Sequence, residues 1–203
     1  MSHQETQQPG RFLLLHGIEH DQPPGHWLYW LASSLRGRGE SVSYPQLPQA
    51  DAPSLERWLE SLEAELAVLD DGVGVVLCHS LSCLLWFHHC ARATLQQRVE
   101  RVLLVAPPSP NLPVPAIQAF APPATLTPAA VAASARSGVR VLASDGDPYC
   151  PEGARALFAA PLRLEIDVIA GGGHLSEPDG YGPWPSMLAW CLDPAVRLRG
   201  NAD

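Results

Sequence analysis

Residues 73–93 read VGVVLCHSLSCLLWFHHCARA. The first six, Val73 to Cys78, form a β-branched, apolar run suited to a strand buried on both faces. From Leu81 to Ala93 the pattern is that of an apolar helix, and only His79 and Ser80 stand between the two elements. A strand that becomes a helix within two residues leaves no room for a surface loop. It also holds Ser80 out at the carboxyl end of the strand, where parallel sheets bind their ligands.

The flanking segments repeat the alternation. Arg11 to His16 (RFLLLH) is a second short apolar run, broken by Gly17. Trp27, Trp30, Leu31, Ser34 and Leu35 recur at helical spacing, and Gly37 and Gly39 stop that helix. Ser41 to Tyr44 is a shorter strand ended by Pro45. Ser54 is placed to cap a helix running to Leu69, whose apolar face is Leu55, Trp58, Leu59, Leu62 and Leu66. Beyond the elbow, strands are expected at Val99 to Val105, Val139 to Ser144 and Leu164 to Ile169, with helices at Pro151 to Phe158 and Trp184 to Leu192. Residues 107–128 are too proline-rich for much regular structure and read as an irregular flap. Strands alternating with helices imply right-handed crossovers and a parallel sheet covered on both faces.

The chain has 203 residues, 46% of them hydrophobic, which fits one domain with an ample core. The expected domain spans 11–194, with tails at 1–10 and 195–203 and the flap lying over the site. A net charge of -8 argues against nucleic acid and anionic membrane surfaces as partners and favours a small neutral or weakly polar ligand. All thirteen cationic side chains are arginine. Schiff-base chemistry, a P-loop lysine and a lysine base are thereby excluded. Five cysteines, odd in number and set in apolar runs, read as buried thiols of a reducing compartment. The polar N-terminus has no signal-like apolar region, so a cytoplasmic location is expected.

The chemistry sits at four strand ends: His16-Gly17-Ile18, His79-Ser80-Leu81, Asp145-Gly146-Asp147 and Gly173-His174. Serine, acid and histidine thus follow parallel strands in the order Ser…Asp…His, the order used by α/β-hydrolases. A serine hydroxyl attacks a carbonyl once a base takes its proton, and a neutral imidazole suits that task. A carboxylate fixes the tautomer of the imidazole and stabilises the imidazolium. The amide of Leu81, at the helix start, and that of Ile18, in the turn after Gly17, are the expected oxyanion donors. His16 is expected to brace that turn. Either Asp145 or Asp147 could serve as the acid, since both lie in one turn.

Several stretches invite other readings. Cys78, His79, Cys83, His88, His89 and Cys90 are dense in metal-ligating types, but a strand, a turn and a helix spread them apart, and no metal is expected. Gly171-Gly172-Gly173 lacks the lysine and long helix of a phosphate loop; it reads as a hinge presenting His174. His79 points away from Ser80 and is expected to be packed and hydrogen-bonded. Trp27, Trp30 and Trp58 read as core. Trp184 fits either the core or a wall of the site, and Phe120 with the flap prolines is the candidate lining for an acyl group.

Four stretches, PGHWLYW, CHSLSC, ASDGDPYCP and GGGHLSEPDGYGPWP, make the chain resemble the small serine hydrolases of the family that includes human retinoblastoma-binding protein nine. The likeness covers nearly the whole chain. It implies an α/β-hydrolase fold, no cofactor, and Ser80, Asp147 and His174 as nucleophile, acid and base, which selects Asp147 over Asp145. The family elbow has glycine where this chain has Cys78 and Ser82. The L-x-C-x-E motif of retinoblastoma-protein ligands does not occur here, so that partner is not carried over. The expectation is therefore a three-layer α/β/α sandwich with about six mostly parallel strands in the order 2-1-3-4-5-6. Its expected activity is hydrolysis of a small ester or thioester through an acyl-serine. The alternatives are acyl transfer or cyclisation on the same triad, or a protein-binding module that has lost efficient turnover.

Overall fold

A computed structural model describes residues 10–69, 74–92 and 99–201. Val73 and Ala93, expected at the ends of the elbow strand and helix, lie outside the described residues, as do residues 1–9 and 202–203 of the two tails. The element order is β1 (Arg11–Leu15), α1 (Trp27–Arg36), β2 (Ser41–Ser43), α2 (Leu55–Val68), β3 (Gly74–His79), α3 (Leu81–Ala91), β4 (Arg101–Val105), α4 (Pro115–Ala119), α5 (Pro128–Ala133), β5 (Val139–Ser144), α6 (Ala160–Leu162), β6 (Glu165–Ile169) and α7 (Pro185–Leu192).

All six strands are parallel and lie in the order β2-β1-β3-β4-β5-β6. This is the expected sheet. β3 is central and buried at every residue, which is why it reads as a continuous apolar run. Its register sets Cys78 beside Leu15 of β1 and His79 beside Val105 of β4.

Side chains alternate between the faces of the sheet and feed two apolar layers. One contains Leu13, Val76 and Leu104 with Trp58, Leu62, Trp86 and Phe87 of α2 and α3. The other contains Leu14, Leu77 and Leu103 with Trp27, Leu28 and Leu31 of α1 and Met187 and Trp190 of α7. Each fully buried leucine contributes about 1.5–3 kcal/mol relative to exposure. α3 is apolar on every side because it is covered on every side: nine of its residues are buried.

Some boundaries depart from expectation for local reasons. The face of α1 that packs is Trp27, Leu28, Leu31, Ala32 and Leu35, so Trp30 and Ser34 sit at its margin. The helix expected at Pro151 to Phe158 begins later, after Gly153 turns the backbone at φ 82°. It is π-wound over Arg155–Ala159 before it enters α6. Pro161 has no N–H for the Leu157 carbonyl and crowds it, so the turn widens. The proline-rich stretch 107–128 carries the single turn α4, started by Pro115. The unexpected helix α5 follows it, where Thr127 accepts the Ala130 amide at 3.1 Å and Pro128 occupies the first turn. Over its described part, the C-terminal tail is packed rather than loose. Leu198 is buried, the Arg199 carbonyl accepts Trp184 Nε1 at 2.7 Å, and Asn201 donates to the Gly180 and Pro183 carbonyls at 3.1 and 2.9 Å.

Candidate active site

The elbow between β3 and α3 forces Ser80 to φ 57° and ψ −125°, a conformation that costs a non-glycine residue about 1–3 kcal/mol. The strain is held from both sides. The Ser80 amide donates to the Val105 carbonyl at 2.9 Å, and the Cys83 amide donates to the Ser80 carbonyl at 2.9 Å. The hydroxyl is thereby lifted out of the strand toward the loop after β6.

There His174 Nε2 lies 2.9 Å from Ser80 Oγ. The other ring nitrogen, Nδ1, lies 3.0 and 2.9 Å from the two carboxylate oxygens of Asp147. A carboxylate only accepts, so Nδ1 carries the proton and Nε2 is free to accept the serine hydroxyl. Asp147 is buried, with 2% of its side chain exposed, and its Oδ1 also accepts the Tyr149 amide at 2.8 Å. Asp145 faces elsewhere: it is exposed and accepts the Gly171 amide at 2.7 Å. The structure therefore brings Ser80, His174 and Asp147 together and gives Asp145 the bracing of the β5 and β6 turns.

The turn after β1 lies against the serine. A Cβ on Gly17 would stand 2.7 Å from Ser80 Cβ, so only glycine fits there. His16 is fully buried; its Nδ1 donates to the Gly17 carbonyl at 2.7 Å while its Nε2 accepts the Leu47 amide at 2.8 Å. Burial lowers its pKa, which keeps the ring neutral and this bonding pattern intact. The Glu19 amide of this turn is taken by the Ala50 carbonyl at 2.9 Å. The Leu81 amide, first of α3, has no intrahelical acceptor.

His16 also begins a file of imidazoles. Ring centroids follow at 4.9 Å to His20, 4.7 Å to His26, 5.1 Å to His79 and 5.2 Å to His174. His26 caps α1 by accepting the Leu28 amide at 3.1 Å. His79 donates Nε2–H to the His174 carbonyl at 3.1 Å and packs edge-on to Trp27. Burial and the neighbouring rings lower His20 to about 3 and His26 to about 4, and hold His79 well below the usual histidine range.

The departure at the elbow has a structural use. Ser82 Oγ accepts the His79 amide at 2.9 Å and faces the Leu15 and His79 carbonyls, each at 2.9 Å. Cys83 Sγ faces the Cys78 and Val105 carbonyls at 3.4 and 3.3 Å. The five cysteines are buried free thiols, and among the described residues no group of three or more His, Cys, Asp or Glu is placed to hold a metal ion. Phe120 and Trp184 are both fully buried. Phe120 packs edge-on to Trp58, and Trp184 packs on Trp27 and Tyr181, so the structure places both in the core rather than on an open wall.

The sequence pattern of the serine hydrolase family matches residues 12–191. The chain belongs to that family. This serine hydrolase is 24% identical over 176 residues to YdeN of Bacillus subtilis, covering 85% of this chain and 89% of that protein. The crystal structure of YdeN superposes with a TM-score of 0.76 at 21% identity, over 90% of this chain and 97% of the other. A YdeN-like protein from Pectobacterium atrosepticum gives 0.69 at 22% identity, over 91% and 90%. A monoacylglycerol lipase from Paleococcus ferrophilus gives 0.60 at 17%, over 90% and 94%. These neighbours share the α/β-hydrolase fold, and the family makes this serine hydrolase a hydrolase. No helix among its described residues is long and apolar enough to cross a membrane.

Two residues beside the serine hydrolase's site escaped sequence reasoning. Asp179 reaches back to accept the amides of His174 and Ser176 at 3.0 and 3.2 Å and the Ser176 hydroxyl at 2.6 Å, fixing the loop that carries His174. Its carboxylate fills the space beside Gly173, where a Cβ would lie 2.1 Å away. The Ser176-x-x-Asp179 capping box was the available signal. Tyr149 packs on His174 with ring centroids 4.5 Å apart and planes tilted by 51°, while 44% exposed; the ASDGDPYCP stretch contains it without marking this contact.

Proposed function

We propose that this serine hydrolase cleaves a small carboxylic ester or thioester through an acyl-Ser80 intermediate. The observation that carries the reading is the continuous hydrogen-bonded chain from Ser80 Oγ through His174 to buried Asp147. Ser80 Oγ attacks the acyl carbon as its proton passes to His174 Nε2. The carbonyl oxygen, now anionic, is received by the Leu81 and Ile18 amides. Collapse of the adduct breaks the bond to the leaving oxygen or sulfur, which takes the proton from His174. Water then repeats the sequence, releasing the acid and restoring the serine.

Asp147 fixes the Nδ1–H tautomer throughout and stabilises the imidazolium. The lipase among the structural neighbours supports an acyl substrate, and the intact elbow favours turnover over mere binding. The test is intact-mass spectrometry after treatment with a fluorophosphonate, followed by a chain-length series of aryl esters and thioesters. One adduct is expected, absent in Ser80→Ala, together with ester turnover. Adduct on Ser82 or a cysteine, or an unreactive protein, would overturn the reading.

A further inference from the structure

At the amino edge of the sheet, a strand's length or roughly 15 Å from Ser80, lies a cavity of about 810 Å³. That volume is within the range of small-molecule sites. Its walls include Arg101 and Arg140, near the starts of β4 and β5, Arg136 from the turn before β5, and Arg163 at the end of α6. A chain of net charge -8 thus gathers four of its thirteen arginines around one hollow, with Glu165 the one acid among the described residues of the wall.

Two of these four cations are left without an ion-pair partner among the described residues. Arg140 is held by Glu165 at 2.6 Å and Asp167 at 3.4 Å. Arg136 and Arg163 are exposed and have no ion pair among the described residues. Arg101 donates to the Cys191 carbonyl at 2.6 Å and lies over the Trp190 ring at 5.0 Å, yet its Nε is buried without a partner. A buried donor left unpaired is unfavourable. Arg163 closes α6 in the left-handed region, at φ 57° and ψ 43°.

Pro128, Ala129, Leu162 and Trp190 give the wall an apolar part, and Ser137 is a polar residue beside the arginines. Guanidinium groups around an apolar hollow match a head group of anionic oxygens on a hydrocarbon body. We propose that this cavity is a second binding site, separate from the triad, for a small amphipathic organic anion: a carboxylate or phosphate on an aliphatic or aromatic body.

The test uses 1-anilinonaphthalene-8-sulfonate as a fluorescent amphipathic anion, titrated into the full chain with Ser80 capped by a fluorophosphonate. Octanoate, octyl phosphate and octanol serve as competitors. The probe is expected to bind the capped protein and to be displaced by the anions but not by octanol; the more potent of the two anions identifies the head group. Arg136→Ala with Arg163→Ala is expected to weaken probe binding at least about tenfold while leaving ester turnover unchanged. Absence of binding to the capped protein, displacement by octanol as readily as by the anions, or a double variant within about threefold of the parent would overturn the site.

Discussion

Ser82 faces the carbonyl of Leu15 at 2.9 Å, joining the first turn of α3 to the end of β1. The same hydroxyl receives the His79 amide, so one side chain holds three backbone segments around Ser80. Glycine at this position would relieve no clash and would remove the brace. Ser82→Gly is therefore expected to lose about 1–3 kcal/mol of stability and to slow ester turnover. Urea unfolding and kcat/KM measure both, and a faster, equally stable variant would contradict the role.

The two aspartates of the β5 turn separate cleanly. Asp147→Asn is expected to cut kcat by about 10⁴, because the amide no longer fixes the Nδ1–H tautomer or balances the imidazolium. Asp145→Asn keeps an oxygen for the Gly171 amide and is expected to stay within about tenfold of the parent. Steady-state kinetics on folded protein decides, and the reverse ranking would exchange their roles.

Gly17→Ala places a methyl 2.7 Å from Ser80 Cβ. On the proposed mechanism, making room shifts the Ile18 amide away from the serine. The expected loss in kcat/KM is about 10²–10³, that of one oxyanion donor. Fluorophosphonate labelling should slow in parallel while the unfolding midpoint changes little; an unchanged labelling rate would place the oxyanion donor elsewhere.

How far the site was legible in the sequence follows from the range of each interaction. VGVVLC, RFLLL and RVLLV are apolar because both faces are covered, so the central strands and the positions of Ser80 and His174 could be read directly, whereas the strand order followed from the family resemblance. Asp147 and Asp145 share one turn, so spacing alone left both open and the family resemblance chose Asp147; the structure separates them by contact, Asp147 reaching His174 and the Tyr149 amide and Asp145 the Gly171 amide. Ser82 read only as a departure from the family glycine because its partners, Leu15 and His79, lie on two strands. The packing of Leu198 and Asn201 against the α7 region was hidden for the same reason. α5 is one and a half turns long, too short for its periodicity to stand out.

The imidazole file makes stability depend on pH. His20 and His26, lowered to about 3 and about 4, stay neutral in the folded protein, whereas in the unfolded chain they titrate near the ordinary value of about 6.5. Between these values the unfolded state binds more protons, so the stabilisation is complete above pH ~6.5 and is lost as pH falls toward 4 and 3. The urea midpoint is expected to fall steadily over that window. His26→Asn keeps an acceptor for the Leu28 amide and removes one titrating ring, so its slope should be shallower. A flat profile from pH ~7 to ~5 would show that the file does not govern acid stability.

The twisted backbone at Ser80 means that the chain does not fold to the most stable state available to its own architecture. A residue without a Cβ would adopt φ 57° and ψ −125° with far less strain, whereas alanine would keep the strain and lose only the hydroxyl. Ser80→Gly should therefore melt above both the parent and Ser80→Ala, by a margin corresponding to about 1–3 kcal/mol. If so, selection has kept a standing handicap in the heart of the sheet, and a dead enzyme would be the sturdier protein.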